Sequence, residues 1–154
     1  MTVTEDAAAA RKAQQAFMQG GGPITNPART SFFDLASMPE KTLGDPDRPS
    51  LAIQAAVNPA ESGCSLMAVR YPPNATVALH RHDVAQIVVV LEGELRQGNR
   101  VFKPGAGYYT PAHQAYTITA GPDGVKVIEF RPGPLSFESD FSVGAERAAA
   151  RSDS

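Results

Sequence analysis

The stretch of sequence that decides the fold is Asn74–Gly93, which reads NATVALHRHDVAQIVVVLEG. It carries His80 and His82 two positions apart, on a run that is otherwise typical of β-structure. Because side chains alternate along a strand with a period of two, both imidazoles are expected on the same face. Gln86 has the same parity and can add an oxygen from the neighbouring strand. The pattern predicts a β-scaffold whose inner face gathers ligands for a metal ion.

Short β-like runs follow one another on both sides of this stretch, separated by proline, glycine and asparagine. Many short strands with turn signals between them predict an all-β barrel or sandwich. The segment Gly121-Pro122-Asp123-Gly124 predicts a hairpin turn, because glycine supplies the positive φ that such turns require. The expected strands are Ser65–Tyr71, Thr76–His82, Ala85–Glu92, Glu94–Gln97, Arg100–Phe102, Gly107–Thr110, Tyr116–Ala120 and Val125–Arg131.

The chain has 154 residues, which is the length of one domain, and its ends differ in composition from its middle. Residues 1–22 are rich in alanine and predict a helix or a disordered leader. Residues 23–50 contain many turn-forming residues and predict an N-terminal arm. The β-barrel is expected over residues 51–143, and a C-terminal tail that frays over residues 144–154.

Charge and cysteine content exclude several classes of partner. A formal net charge of −2 gives no reason to expect nucleic acid or an anionic membrane surface. Cys64 is the single cysteine, so no intrachain disulfide can form and a reducing compartment is the simpler assumption. No apolar run has the length of a membrane span, and the N-terminus lacks the apolar core of a signal peptide. A soluble, cytoplasmic protein is expected.

The central stretch resembles the first motif of the cupin superfamily, small double-stranded β-helix (jelly-roll) barrels with a metal at the centre. That motif is glycine, five residues, His-x-His, three residues, glutamate, six residues and glycine. The spacing is kept here by Asn74, His80, His82, Gln86 and Gly93. Asparagine replaces the first glycine, which is tolerable because asparagine enters left-handed conformations readily. Glutamine replaces the acidic ligand, which leaves the metal's charge less compensated.

The second motif of the superfamily is glycine, five residues, Pro-x-Gly, two residues and histidine. Gly105 and Pro111 match its start, but Tyr116 stands where the third histidine ligand is expected. Either Tyr116 replaces that histidine, or the loop is rebuilt and His113 reaches the metal. Tyr116 can act as a phenolate ligand or as a neutral phenol that donates a proton or hydrogen bond. His113 can act as a general base at the edge of the site.

The resemblance implies a metal-dependent enzyme that acts on a small organic molecule in the barrel, with non-haem iron dioxygenase chemistry first. His80, His82, Gln86 and His113 are the expected metal ligands, and Tyr116 and His113 the expected catalytic residues. The cofactor is a divalent metal ion, with iron first and Ni, Mn, Co, Cu or Zn as alternatives. Lyase, isomerase or cyclase chemistry in the same pocket is the alternative reaction. Similar cupins dimerise through barrel edges and arms, which implies a homodimer.

Structural roles compete with each of these assignments. His80 and His82 can be buried histidines that only satisfy hydrogen bonds, and Gln86 can be a hydrogen-bonding residue in a barrel without metal. Tyr116 can be a core aromatic residue whose hydroxyl finds a partner. His113 can be a surface loop residue. In that case the protein is a non-catalytic barrel that binds a small molecule and has a degraded metal site.

Overall fold

The computed structural model describes residues 33–45, 48–57 and 63–133. The predicted leader over residues 1–22 and the predicted tail over residues 144–154 lie outside the described residues. Within the described ranges, no helix has the length and apolar character that crossing a membrane requires.

The predicted all-β architecture is confirmed, with eight antiparallel strands joined in one sheet across the described ranges. The main path through the sheet is β1-β2-β3-β8-β5-β6, while β4 pairs with β8 and β7 pairs with β5. The central strand β5 therefore pairs with β6, β7 and β8, and the central strand β8 pairs with β3, β4 and β5. The strands are β1 (Lys41–Asp45), β2 (Arg48–Val57), β3 (Ser65–Tyr71), β4 (Thr76–His80), β5 (Gln86–Gln97), β6 (Arg100–Phe102), β7 (Gly107–Thr110) and β8 (Tyr116–Arg131).

Three strands, β3, β6 and β7, have the bounds that the sequence predicts. The strand break predicted around Gly93 does not occur, because β5 is continuous through it. Gly93 has a φ of 75°, and a Cβ atom there would collide with the carbonyl oxygen of Gly124. The glycine therefore allows a close approach of two strands within the sheet instead of ending one.

The prediction of a hairpin at residues 121–124 is wrong, because β8 runs through these residues from Tyr116 to Arg131 without reversing. These residues bulge opposite Glu94, since the register passes from Leu95↔Ala120 to Gly93↔Val125. Before the bulge β8 pairs with β4, and after it β8 pairs with β3. The glycines let the strand bend from one partner to the next, which is a common role of bulges at barrel corners.

The sheet also begins earlier than predicted. Strands β1 and β2 pair antiparallel, with Lys41 opposite Ile53, so part of the predicted arm over residues 23–50 belongs to the sheet. The Pro, Asp and Gly residues of this region obscured the strand signal. Another detail was predicted correctly, since Asn74 takes a left-handed conformation with a φ of 58°.

The core lies between the inward faces of β3, β5 and β8, where alternate side chains are buried. Val88, Val90 and Ile118 are all buried and line this core. The same inward face of β8 continues past its valines to two charged residues near its end, Glu129 and Arg131. The other apolar members of this core include Ile53, Met67, Val69, Tyr71, Leu95, Val125 and Val127.

Candidate functional site

Four polar side chains that the motifs single out come together inside the barrel, and we call His80, His82, Gln86 and Tyr116 the interior cluster. His80 ends β4 and lies opposite Tyr116, the first residue of β8, while Gln86 begins β5. All four side chains are buried. The two imidazole ring centroids are 5.1 Å apart, and those of His80 and Tyr116 are 4.4 Å apart. The strand ends thus place two imidazoles, an amide and a phenol around one point.

The hydroxyl of Tyr116 is the centre of the cluster. Gln86 Nε2 donates a hydrogen bond to it at 2.8 Å, and His82 Nε2 is hydrogen bonded to it at 3.1 Å. Burial raises the pKa of Tyr116, and the negative charge of Glu129 raises it further, against smaller opposing effects of Arg131 and Gln86. The phenol is therefore neutral at physiological pH. Of the two roles considered for Tyr116, this favours the neutral donor over the phenolate ligand.

The tautomer of His80 follows from its contact with the backbone. Its Nδ1 lies 2.8 Å from the carbonyl oxygen of Ala78. A carbonyl oxygen only accepts, so Nδ1 carries a proton, and in the neutral ring Nε2 then carries a lone pair. Such a lone pair can accept a proton from a bound molecule, and it is also the arrangement found in histidines that bind metals.

Gln86 is oriented by Arg131. The Nε of Arg131 donates to Oε1 of Gln86 at 2.7 Å. A guanidinium has donors and no acceptor, so the amide atom that faces it must be the oxygen. This assigns the amide, whose oxygen and nitrogen are otherwise hard to distinguish. The NH2 group consequently points at Tyr116, and Gln86 offers the cluster a donor instead of an oxygen ligand.

The guanidinium of Arg131 is itself held by a buried carboxylate. Arg131 is 1% exposed, and one of its terminal nitrogens donates to Glu129 Oε2 at 3.2 Å. The hydroxyl of Tyr71 donates to the other oxygen of Glu129, also at 3.2 Å. Burial raises the pKa of Glu129, while Arg131 and Tyr71 lower it in part. A buried charge is costly without a counter-charge, so Arg131 and Glu129 hold each other in place beside the cluster.

A divalent metal ion takes lone pairs from three or four side chains, which the interior cluster would have to supply. His80 can supply one through Nε2. The Nε2 of His82 and the amide oxygen of Gln86 already share hydrogen bonds with Tyr116 and Arg131. No group of three or more His, Cys, Asp or Glu side chains in the described ranges is placed to hold a metal ion. As they are arranged, these residues do not fit a resident divalent metal.

His113 lies on the loop between β7 and β8, and its side chain is exposed. It has a φ of 65°, and its backbone N–H donates to the carbonyl oxygen of His82 at 2.7 Å. The loop is thus attached to the site by its backbone. The roles of His113 as ligand or general base stay predictions.

Two residues outside the motifs, Arg131 and Glu129, complete the site. The sequence indicates that both side chains point inward, because positions 129 and 131 alternate in step with Val125 and Val127 and so share their face of β8. Two charged residues on an otherwise apolar inward face need partners inside the protein.

Comparisons with known proteins identify the fold. No protein-family model and no curated protein matches the chain. Among solved structures, an RmlC-like cupin from Shewanella frigidimarina matches with a TM-score of 0.56 and 18% identity, over 69% of this chain and 92% of that chain. The polyketide cyclase RemF from Streptomyces resistomycificus matches with a TM-score of 0.57 and 15% identity, over 73% and 89%. An acetylacetone dioxygenase from Acinetobacter johnsonii matches with a TM-score of 0.61 and 11% identity, over 75% and 82%. The chain has the cupin fold.

Proposed function

We propose that this protein binds a small, uncharged organic molecule with a carbonyl or hydroxyl group at the interior cluster and acts on it by proton transfer without a metal. The reaction would be of the lyase, isomerase or cyclase type. The observation that carries the proposal is the buried, neutral hydroxyl of Tyr116, which the side chains of His82 and Gln86 hold in place.

The chemistry of the cluster supports an uncharged ligand. The imidazoles, the amide and the phenol are polar groups that donate and accept hydrogen bonds. The nearby charges of Arg131 and Glu129 offset each other within the buried pair. A ligand with a full charge would find no counter-charge at the cluster, and burying it would be costly.

The residues have complementary roles in this proposal. Tyr116 donates a hydrogen bond to the carbonyl oxygen of the bound molecule, which stabilises negative charge that develops there. His80 accepts a proton from a neighbouring atom of the molecule through the Nε2 lone pair. The rings of the two residues are 4.4 Å apart, so they can act on atoms of the same small ligand. The apolar walls formed by Val88, Val90 and Ile118 limit the access of water.

A metal-dependent oxidoreductase of the non-haem iron dioxygenase type is the second candidate. It is favoured by the tautomer of His80 and by two buried imidazoles whose centroids are 5.1 Å apart. The acetylacetone dioxygenase among the fold neighbours gives it further support. It requires Gln86 to turn its oxygen away from Arg131, and it makes activity dependent on added metal.

The two candidates are separated by a binding screen on protein treated with a strong chelator. The screen uses small ketones, hydroxyketones and enols, and follows ligand-induced chemical-shift changes by NMR. Tyr116→Phe removes the hydrogen bond from the phenol to the ligand and is expected to weaken binding about tenfold, which is about 1.4 kcal/mol. Tyr109→Phe is the matched control, because Tyr109 is exposed and lies outside the cluster.

The proposal is supported if the metal-free protein binds members of the panel and only Tyr116→Phe weakens the binding. Turnover of a bound compound by the metal-free protein would then identify the reaction. Binding or turnover that appears only after a divalent metal is restored contradicts the proposal and supports the second candidate.

A further inference from the structure

We propose that Arg131 is the positioning residue of the interior cluster, because it holds Gln86 with the amide NH2 towards Tyr116 and so closes the cluster to metal ions. The inference rests on the metal-free site proposed above and adds the residue that keeps the site in this state. Arg131 acts through Gln86, which accepts a hydrogen bond from the guanidinium and donates one to the Tyr116 hydroxyl.

The hydrogen bonds of Gln86 fix which way its amide faces. Arg131 Nε donates to Gln86 Oε1 at 2.7 Å, and Gln86 Nε2 donates to the Tyr116 hydroxyl at 2.8 Å. Turning the amide over would place its NH2 group against the N–H of Arg131, donor against donor. The Tyr116 hydroxyl both donates and accepts, so it can bond to either amide atom, but the guanidinium can bond only to the oxygen. A flip therefore replaces the short hydrogen bond from Arg131 with a contact between two donors.

Arg131 cannot easily move aside. Its side chain is buried and bound to Glu129, whose carboxylate is also buried and accepts the hydroxyl of Tyr71. Leaving this position would separate a buried ion pair, which is strongly unfavourable. The orientation of Gln86 thus depends on a fixed part of the core and not on a surface side chain.

The orientation of Gln86 also determines the hydrogen bonding of Tyr116. Its oxygen accepts the N–H of Gln86, and its own proton stays available for an acceptor such as a bound carbonyl group. Arg131 therefore sets the direction of the hydrogen bond from Gln86 to Tyr116.

The test measures the affinity of chelator-treated protein for Co²⁺ alone, from the visible absorbance of the bound ion. The variant is Glu129→Met combined with Arg131→Met, which removes both members of the pair and leaves no uncompensated buried charge. It is expected to bind Co²⁺ at least tenfold more tightly than the native protein, because Gln86 can then turn its oxygen inward. Adding Gln86→Met to this variant is expected to abolish the gain.

The control replaces an exposed pair, Arg70→Met with Glu92→Met, and is expected to leave the Co²⁺ affinity unchanged. If the native protein binds Co²⁺ as tightly as the Glu129→Met, Arg131→Met variant, and Gln86→Met alone weakens that binding, the amide is already a ligand. The role proposed for Arg131 is then overturned.

A second measurement needs no variant of the pair. In ¹⁵N-labelled native protein, the NH2 protons of Gln86 are expected to show stronger nuclear Overhauser contacts to the Tyr116 ring than to the Nε proton of Arg131. The reverse pattern overturns the inference even if the variants fail to fold. If the ligand screen fails while these contacts and the Co²⁺ affinities are as expected, the proposed function is lost but the role of Arg131 stands.

Discussion

Replacing Glu129 with glutamine removes the counter-charge of a guanidinium that is 1% exposed. The side chain keeps its size and one acceptor oxygen, but Arg131 is left as a buried charge without a carboxylate. Breaking one half of a buried pair costs about 3–5 kcal/mol. Because glutamine still accepts one hydrogen bond, we expect the free energy of unfolding to fall by about 3 kcal/mol, near the lower limit. This is a large part of the roughly 5–15 kcal/mol that stabilises a typical domain.

The assay is urea unfolding at neutral pH, with Glu92→Gln as the control. Glu92 pairs with Arg70 on the surface, where the two side chains are 61% and 41% exposed, so its loss is expected to cost no more than about 1 kcal/mol. Glu129→Met combined with Arg131→Met is expected to recover most of the stability, since neither charge remains. The reasoning is refuted if Glu129→Gln costs no more than Glu92→Gln.

Three further predictions concern pH, packing and assembly. Burial raises the pKa of Tyr71 above its usual value, so its contribution to stability is complete below pH about 10 and is lost as the pH rises beyond that; Tyr71→Phe should flatten the alkaline part of the urea-midpoint profile. Gly93→Ala should lower the free energy of unfolding by more than about 2 kcal/mol, because the new Cβ would meet a backbone carbonyl. Gly98 also has a positive φ but lies in open space, so Gly98→Ala should cost about 1–2 kcal/mol. Equal unfolding free energies of the two variants would contradict this. We expect a homodimer by light scattering, with Ile87→Lys or Tyr109→Lys converting it to a monomer, because these residues are 45% and 65% exposed on paired strands; a native monomer at micromolar concentration would contradict this.

The sequence was sufficient for the features that depend on local pattern. Alternation and turn residues predicted β3, β6 and β7 at their observed bounds, because these strands are short and turn-forming residues follow each of them. The parity of His80, His82 and Gln86 likewise predicted that their side chains share the interior of the barrel. These inferences needed only the period of two and the spacing along one segment.

Features set by distant partners could not be predicted in this way. Gly121 and Gly124 have the composition of a hairpin turn, yet they form a bulge because β8 changes partner from β4 to β3 there. The orientation of Gln86 depends on Arg131, which lies 45 positions further along the chain. Nothing in the spacing of the motif reports that a guanidinium will face the amide.

Gln86 presents its NH2 group to Tyr116, and we propose that the interior cluster holds no resident metal. The most direct test is a crystal structure of protein produced and crystallised with excess divalent metal, with anomalous data collected at the metal edge. We predict no anomalous peak at the cluster and a hydrogen bond between Gln86 Oε1 and Arg131. An anomalous peak from a metal ion bound by His80, His82 and the oxygen of Gln86 would contradict this proposal.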